Sequence, residues 1–319
     1  MRIDAYTHFF PKRFFDKLIE IAGDYKDMGK RVRAVPALYD LDHRKKIVDL
    51  FPDYAQILSY PQPPFESFCK TPQQMDEMIR LCRAHRTKLG VIFQMRFGTV
   101  AARLREAVQS GALGRIFLAD AVDKSSRSPA YYNSAEWRGT GALEGGGCLM
   151  TQSIHIVDLL QHVVGPVRSV IGRVATKQHA IEVEDTATAL VSFENGAMGV
   201  IESTSSIKPA LKSRLELHGD HGTIVANAQY DQILFWNVGG RTVPDVETHF
   251  AIGDTDDPWA YPQVRHRIQL QDMVDAIRED RDPVLTGEDA RVSLAIVMAI
   301  YESSRSGREV LLRDLAPAS

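Results

Sequence analysis

The apolar positions of this chain follow a helical spacing in its first part and an alternating spacing later on. Before residue 67 the pattern predicts a short strand at residues 3–6, a helix opened by Pro11, a helix over 42–50 and a buried strand over 54–59. Segment 60–64 is the densest in proline, which fixes φ and lacks a backbone donor. We therefore predict a joint there between two parts of the chain.

Clear helix signals follow this joint. Thr71-Pro72-Gln73-Gln74 has the pattern of a capping box with proline at the first helical position. Residues 89–93 form an almost continuous apolar run, which favours a buried parallel strand, and a helix over 100–110 follows. Because parallel strands need neighbours, we expect the strands at 3–6 and 54–59 to lie beside 89–93 in a small parallel sheet.

The alternating spacing begins near residue 167, after a helix that Gly145-Gly146-Gly147 introduces and Gly165 closes. Apolar residues then alternate up to Asn195-Gly196, a strong hairpin signal. Short strands are predicted over 214–217, 223–226 and 233–236, and helices over 266–279 and from Thr286 to just before Gly307. The fold class is therefore α+β: a truncated parallel α/β segment followed by a large antiparallel sheet with flanking helices.

Composition narrows the class of protein. The 319 residues carry a net charge of −3, so we interpret the basic runs at 30–33 and 44–46 as solvated faces and expect no nucleic-acid partner. No apolar run approaches the ~20 residues of a membrane span, and Asp4 stands where a signal peptide is apolar. The three cysteines fit neither a disulfide framework nor a metal-ligand spacing. We expect a cytoplasmic protein with no membrane partner and no metal.

Several segments after residue 70 occur in the order typical of one enzyme family. Together they resemble the Gfo/Idh/MocA oxidoreductases, and they are Phe93-Gln94-Met95-Arg96-Phe97, Ser110-Gly111-Ala112-Leu113-Gly114, Trp137-Arg138-Gly139-Thr140, Gly145-Gly146-Gly147-Cys148-Leu149, Ile154-His155-Ile156-Val157-Asp158, Val183-Glu184-Asp185-Thr186 and Tyr301-Glu302-Ser303-Ser304-Arg305-Ser306-Gly307. The resemblance implies a C-terminal sheet domain of that family. It also implies hydride transfer between an alcohol carbon of a sugar or polyol and NAD or NADP.

The same resemblance implies the site residues. His155 matches the family's catalytic histidine, which takes the hydroxyl proton as hydride leaves carbon. Four residues earlier, where the family often has Asp, this chain has Thr151. We assign substrate binding to Thr151 and to other side chains suited to a sugar, namely Trp137, Arg138, Asp158 and Glu184. The residue types also allow a purely structural role for His155 and supporting roles for Asp158 and Glu184. We expect Asp185 to cap a turn.

The cofactor half of the family pattern is missing. A dinucleotide fold needs Gly-x-Gly-x-x-Gly after its first strand, because glycine lets the backbone amides approach the pyrophosphate. Before residue 69 this chain has only Gly23 and Gly29, and Lys70 is too close to the following helix to replace the family's Glu-Lys-Pro lysine. Gly145-Gly146-Gly147 lacks a preceding apolar strand, so we do not favour it as a substitute phosphate loop.

These observations lead to two functional hypotheses. The first is a NAD(P)-dependent dehydrogenase by descent whose activity is impaired because its cofactor site is missing. The alternative is a non-catalytic binding module or a homo-oligomer, formed through the sheet face that we assign to Phe193, Val200 and Ile201. A metal-dependent amidohydrolase or decarboxylase is the least favoured.

The first segment gives that last hypothesis its basis. Residues 3–11, 38–44 and 53–59 resemble the start of amidohydrolase-type decarboxylases, whose first strand supplies a metal-binding His-x-His pair. Here the pair is Tyr6 and His8, so one ligand is replaced. We interpret the chain as a fusion of an amidohydrolase-like (β/α) barrel fragment over 1–67, a remnant of a dinucleotide-binding domain over 68–115 and a substrate and sheet domain over 116–319.

Overall fold

The chain divides into two compact units, Met1–Ser67 and Phe68–Ser319. The computed structural model describes residues 2–8, 12, 16, 35–52, 54–59, 71–211, 213–242 and 264–315. The predicted helix after Pro11, the basic run 30–33, the proline-rich segment, Cys69 and Lys70 lie outside the described residues. The assignment of the three segments to a barrel fragment, a cofactor-domain remnant and a substrate domain stays a prediction.

The N-terminal unit contains a pair of parallel strands. β1 (Arg2–His8) pairs with β2 (Tyr54–Ser59), with Arg2 opposite Tyr54. Between them lie a 3-10 turn at Pro36–Leu38 and helix α1 (Leu41–Val48). The Asp40 carboxylate caps α1 by accepting hydrogen bonds from the first free backbone N–H groups. The predicted parallel relation of the two strands is confirmed.

Among the described residues of the C-terminal unit, six helices are present. They are α2 (Pro72–Ala84), α3 (Thr99–Gln109), α4 (Pro129–Asn133), α5 (Ile154–Val164), α6 (Val264–Arg278) and α7 (Gly287–Ser306). A π-helical turn, Leu149–Ser153, leads into α5. The capping boxes at Thr71 and Thr286 are both present, and Gly307 ends α7 with φ 71°. The local helix signals are therefore confirmed.

A nine-stranded sheet forms the body of this unit. Its strands are β3 (Ile116–Lys124), β4 (Val167–Ala175), β5 (Thr186–Phe193), β6 (Met198–Thr204), β7 (Arg214–Gly219), β8 (Gly222–Asn227), β9 (Gln232–Val238), β10 (Arg241–Thr242) and β11 (Val310–Leu311). The order across the sheet is β10-β9-β8-β7-β3-β6-β5-β4-β11. Every neighbouring pair is antiparallel except β3 and β6, which run parallel. The α+β fold class is confirmed, and β3 is a strand that the sequence pattern did not predict.

One face of the sheet packs against helices and holds the core. Phe193 and Ile201 are each 1% exposed and belong to this core together with buried residues of α5 and α7. Val200 is next to Ile201 on β6, so it points to the opposite face, because side chains alternate along a strand. The assignment of these three residues to one open face is therefore wrong. The open face instead carries Ile171, Leu190 and Met198, which are 48%, 59% and 64% exposed.

Residues 89–93 do not form a strand. This segment is irregular and runs into a 3-10 turn at Gln94–Phe97, so it does not join β1 and β2 in a sheet. Its apolar side chains still pack, since Phe93 is buried and Leu89 and Val91 contact the core. The Gln269 amide on α6 donates to the Val91 carbonyl at 2.6 Å. Burial explains the apolar run, and a side chain supplies a hydrogen bond that a neighbouring strand would have supplied.

Candidate functional site

The glycine-rich turn before α5 is built around Glu184. One carboxylate oxygen accepts from Gly147 N at 2.9 Å, and the other accepts from Leu149 N at 3.0 Å and from the Tyr301 hydroxyl at 2.8 Å. The Glu184 carbonyl also accepts from Cys148 N at 2.9 Å. Glu184 thereby caps the start of the helical run from across the chain. Burial raises the pKa of Glu184, while these hydrogen bonds oppose the rise.

This arrangement explains the need for glycine. A Cβ atom on Gly147 would overlap the Glu184 backbone, and one on Gly146 would overlap the Tyr301 hydroxyl. The turn is therefore close-packed, and its backbone N–H groups at 147–149 already have acceptors. A phosphate loop needs free N–H groups pointing at its ligand. The contacts of Glu184 favour the supporting role that the sequence left open.

His155 lies near the start of α5 and is half-buried. Its ring meets the edge of Phe93 with centroids 5.7 Å apart, and its buried Nδ1 atom has no hydrogen-bond partner. Burial is the main reason that the pKa of His155 is lowered to about 4, and the charges of His266 and Arg265 act in the same direction. The imidazole is therefore neutral at pH 7 and retains a lone pair that can accept a proton.

Thr151 lies in the π-helical turn, four residues before His155. Its hydroxyl donates to the Gly147 carbonyl at 2.9 Å, within its own helical turn. It therefore stabilises the turn locally, and it supplies no negative charge to orient His155. The substrate-binding assignment of Thr151 stays a prediction.

Asp158, on α5, lies in a separate network. It is fully buried and forms a two-pronged ion pair with Arg96, with both N–O distances 2.7 Å. The Ser293 hydroxyl donates to the same carboxylate at 2.7 Å, and Arg96 also reaches Asp289 at 3.1 Å. These contacts tie α5 to α7 and to the turn at residues 94–97. They favour the supporting role of Asp158, and its substrate-binding assignment stays untested.

The expected turn cap at Asp185 is confirmed. Its carboxylate accepts from the backbone N–H groups of Lys177, Gln178 and His179 at 2.8, 2.8 and 2.9 Å. Burial alone would raise the pKa of Asp185, but these hydrogen bonds outweigh it and lower the pKa to about 2. Asp185 thus fixes the turn before β5.

Trp137 and Arg138 lie in a cluster of cations and aromatic rings. The Arg138 guanidinium stacks over the Tyr131 ring at 4.1 Å and over the Trp137 ring at 4.4 Å. Arg127 lies over the same Tyr131 ring at 5.2 Å and donates to Gln152, whose amide reaches the Tyr131 hydroxyl at 3.4 Å. We call these five residues the Arg127–Arg138 cluster. The cluster brings two of the predicted substrate residues, Trp137 and Arg138, together with three residues that no sequence pattern indicated.

Two of the missed residues follow the missed strand β3 in the chain. Arg127 comes just after β3, and Tyr131 lies in the short helix α4 that follows. Recognising Ile116–Lys124 as a central strand would have drawn attention to the polar loop at its end, where functional residues concentrate. Asp123, near the same strand end, accepts from the Ser153 hydroxyl at 2.9 Å, and burial raises its pKa.

Among residues that the structure describes, no group of three or more His, Cys, Asp or Glu is arranged to hold a metal ion. Within those same ranges, no helix combines the length and the apolar character needed to cross a bilayer.

Comparison with known proteins adds sequence relatives. D-apiose dehydrogenase of Paraburkholderia graminis is 26% identical over 253 residues, which cover 76% of this chain and 64% of that enzyme. Myo-inositol 2-dehydrogenase of Thermotoga maritima is also 26% identical, over 263 residues that cover 78% of this chain and 73% of that enzyme. The chain thus spans just under two thirds of the first relative.

A solved structure supports the same relationship. The WlbA dehydrogenase of Bordetella pertussis, solved with NADH and UDP-GlcNAcA, superposes with a TM-score of 0.63 at 27% identity, covering 78% of this chain and 70% of that one. Residues 101–225 match the family model described as the GFO/IDH/MocA C-terminal domain. This segment runs from α3 to β8 and includes His155, Glu184 and the Arg127–Arg138 cluster. The family match thus concerns residues 101–225, which are less than half of the chain.

Proposed function

We propose that this chain is the substrate-binding part of a sugar or polyol dehydrogenase, and that it does not transfer hydride to NAD(P) unaided. The substrate class rests on the relatives, which are named as dehydrogenases of D-apiose and of myo-inositol. The position of His155 in the matched segment supports a site for an alcohol beside α5. The observation that carries the second half of the proposal is the glycine-rich turn, whose amides Glu184 occupies.

The residues present do not fit a dinucleotide. A pyrophosphate cradle follows the first parallel strand of its fold and needs glycines there. After β1 the sequence continues with Phe9-Phe10-Pro11, two bulky side chains and a residue without a backbone N–H. In the only run of three glycines in the sequence, Gly145–Gly147, the Gly147 amide already donates to the Glu184 carboxylate. We therefore derive no catalytic step through NAD or NADP in this chain.

His155 is the residue of the candidate site that can contact an alcohol substrate. Its neutral ring can accept a hydrogen bond from a substrate hydroxyl and hold that oxygen in place. With its pKa lowered to about 4, it is a weak base at pH 7, because efficient proton transfer needs a pKa near the working pH. This is consistent with binding and orientation of a sugar and with impaired chemistry.

A titration tests the proposal directly. The purified chain is titrated with NADH and NADPH to millimolar concentration while nicotinamide fluorescence is followed. We expect no saturable binding and no oxidation of myo-inositol or of other polyols. Saturable cofactor binding, together with polyol oxidation that His155→Ala abolishes, would contradict the absence of hydride transfer. His85→Ala is the matched control because it removes an exposed imidazole at the end of α2.

An oligomeric binding module is a second candidate. It is favoured by Ile171, Leu190 and Val200, which lie in register across β4, β5 and β6 on the open face of the sheet. Size-exclusion chromatography with light scattering measures the assembly. If this face joins copies of the chain, Leu190→Glu reduces the mass to that of a monomer, whereas Thr188→Glu, also exposed on β5, has a smaller effect. A monomeric parent chain would reject this candidate.

We also propose that the chain is a fusion of unrelated segments. The division at Ser67 and the parallel pair β1–β2 support treating the first segment as separate from the sheet domain. We expect residues 68–319, produced alone, to keep the cooperative unfolding of the sheet domain, as followed by far-ultraviolet circular dichroism. Loss of that transition would show that the first segment is needed for folding.

A further inference from the structure

We propose that the sugar bound here carries an oxyanion, a carboxylate or a phosphate, and that the Arg127–Arg138 cluster binds it. This inference rests on the proposed function, since it takes a sugar as the ligand and adds its charge. The cluster offers two guanidinium groups on one tyrosine ring, with their carbons 4.1 and 5.2 Å from its centre. Guanidinium groups favour oxyanions because their planar donors match carboxylate and phosphate geometry.

The charges of the cluster are not neutralised. Among the described residues, no carboxylate forms an ion pair with Arg127 or Arg138. Other shielded arginines in the same unit behave differently, since Arg96 is paired with Asp158 and Arg291 with Asp76. Shielded charges are usually paired, so two half-buried arginines without an acid leave a local excess of positive charge.

The donors of the cluster are also incompletely used. Arg127 Nε, Arg138 Nε and Trp137 Nε1 are buried, and none has an acceptor. Trp137 is only 5% exposed, so its indole N–H has little access to solvent. Burying an N–H without an acceptor is unfavourable, and most such groups in proteins are satisfied. An oxyanion brings several acceptor lone pairs together with negative charge, so it meets both requirements.

Arg127 is held in place before any ligand arrives. Its backbone N–H donates to Ser205 O at 2.7 Å, and its carbonyl accepts from His179 Nε2 at 3.0 Å. Its guanidinium donates to Ser126 O at 3.0 Å and to the Gln152 side chain. Such fixed geometry lowers the entropy lost on binding.

The nearby acids have other partners. Asp123 accepts from Ser153 and lies outside ion-pair distance of Arg127, although the arginine's charge opposes the rise in the pKa of Asp123. Glu144 is 1% exposed and accepts from Gly139 N. Neither carboxylate takes the place of a ligand oxyanion at the two guanidinium groups.

The cluster also lies close in sequence to the candidate catalytic position. Gln152, which contacts both Arg127 and Tyr131, precedes His155 by three residues in the same helical run. A sugar held through its anionic group at the cluster therefore has its remaining hydroxyls available to α5. Specificity of this kind would separate acidic sugars from neutral polyols.

Calorimetric titration of the full chain without nicotinamide tests this inference. The probes are D-glucuronate, D-glucose 6-phosphate, D-glucose and myo-inositol, each to 50 mM (a concentration limit we set at about ten times a millimolar-range Kd). We expect at least one anionic sugar to bind about tenfold more tightly than D-glucose, with charge-assisted bonds as the cause. Binding of D-glucuronate would indicate a carboxylate ligand, and binding of D-glucose 6-phosphate would indicate a phosphate ligand.

Variants connect the binding to the cluster. Arg138→Gln should weaken binding of the anionic sugar about tenfold, and Arg138→Lys should weaken it less because the charge is kept. Arg173→Gln, an exposed arginine of β4, makes the same change in net charge and should leave binding unchanged. Thermal unfolding of each variant checks that it is folded. If Arg138→Gln does not fold, Arg127→Gln replaces it as the test variant.

Three outcomes would overturn the inference. They are equal affinity for neutral and anionic sugars, no binding of either anionic sugar, and unchanged binding by folded Arg138→Gln and Arg127→Gln. Tight binding of D-glucose or myo-inositol alone would keep the proposed sugar or polyol function and reject only the anionic site. Because no cofactor is present in the titration, hydride transfer in the separate assay bears on the proposed function and leaves this inference unaffected.

Discussion

Two groups of shielded polar side chains lie within the same helix-and-sheet unit, and they differ in whether their polar atoms have hydrogen-bond partners. Asp158, Glu184 and Asp185 are enclosed and have donors on their carboxylate oxygens. His155 and the Arg127–Arg138 cluster are also shielded, yet they keep buried nitrogen atoms without partners. Satisfied networks specify a structure, whereas unsatisfied groups are unfavourable unless something binds them. From this difference we infer that the first group maintains the fold and that the second is available to a ligand.

The largest effect is expected from removing a carboxylate of the first group. Asp158→Ala leaves Arg96 buried without its main partner, and breaking a buried ion pair in this way costs about 3–5 kcal/mol. Urea unfolding, followed by circular dichroism, measures the loss. Asp220→Ala, which removes a surface ion pair with Arg115, is the control and should cost under about 1 kcal/mol. Similar losses of stability in Asp158→Ala and Asp220→Ala would show that the buried carboxylate does not maintain the fold more than a surface one.

In the second group, His155 is expected to make the free energy of unfolding depend on pH. The pKa of His155 is lowered to about 4, so below about 6.5 the unfolded chain binds a proton that the folded chain does not. Stability should fall between these two pH values by about 3 kcal/mol and stay level for this group below pH 4. Comparing the free energy of unfolding of the parent chain and His155→Gln isolates the contribution. Parallel pH profiles would show that His155 is readily protonated in the fold.

A smaller effect at more acidic pH should come from Asp185. Its pKa is lowered to about 2, so its stabilising contribution is complete above the unfolded value of 3.8 and is lost as the pH falls from there toward 2. The expected loss is about 2 kcal/mol, and Asp185→Asn should flatten the profile in that window. His155→Gln should leave this acidic window unchanged. A pH profile that is equally steep with and without Asp185 would mean that its hydrogen bonds contribute little.

Part of the fold could be predicted because its signals are local. The capping boxes at Thr71 and Thr286, the Asn195-Gly196 hairpin and the terminal glycine of α7 each depend on neighbouring residues. The strand predicted at 89–93 was wrong because an apolar run reports burial and not the partner that satisfies its backbone. In this chain, the Gln269 side chain takes one of those hydrogen bonds.

The candidate site shows the same limit. His155 and the pair Trp137–Arg138 could be named from motifs, but the motifs grouped them with Asp158 and Glu184. The structure gives the two carboxylates other partners, because Arg96 pairs with Asp158 and the Gly147 and Leu149 amides donate to Glu184. Arg127, Tyr131 and Gln152 had no motif, and their association depends on the end of β3 lying beside the turn before α5.

The sequence by itself determined the helix ends, the alternating strands and the resemblance of residues 101–225 to a known domain family. These features depend on residue types close together in the chain, where backbone geometry is fixed by side-chain chemistry over a few positions. Only the tertiary structure decided which face of the sheet is buried, which carboxylates are already bonded and which cations lack a partner. Those properties depend on residues far apart in sequence, such as Glu184 and Gly147, whose contact no local pattern encodes.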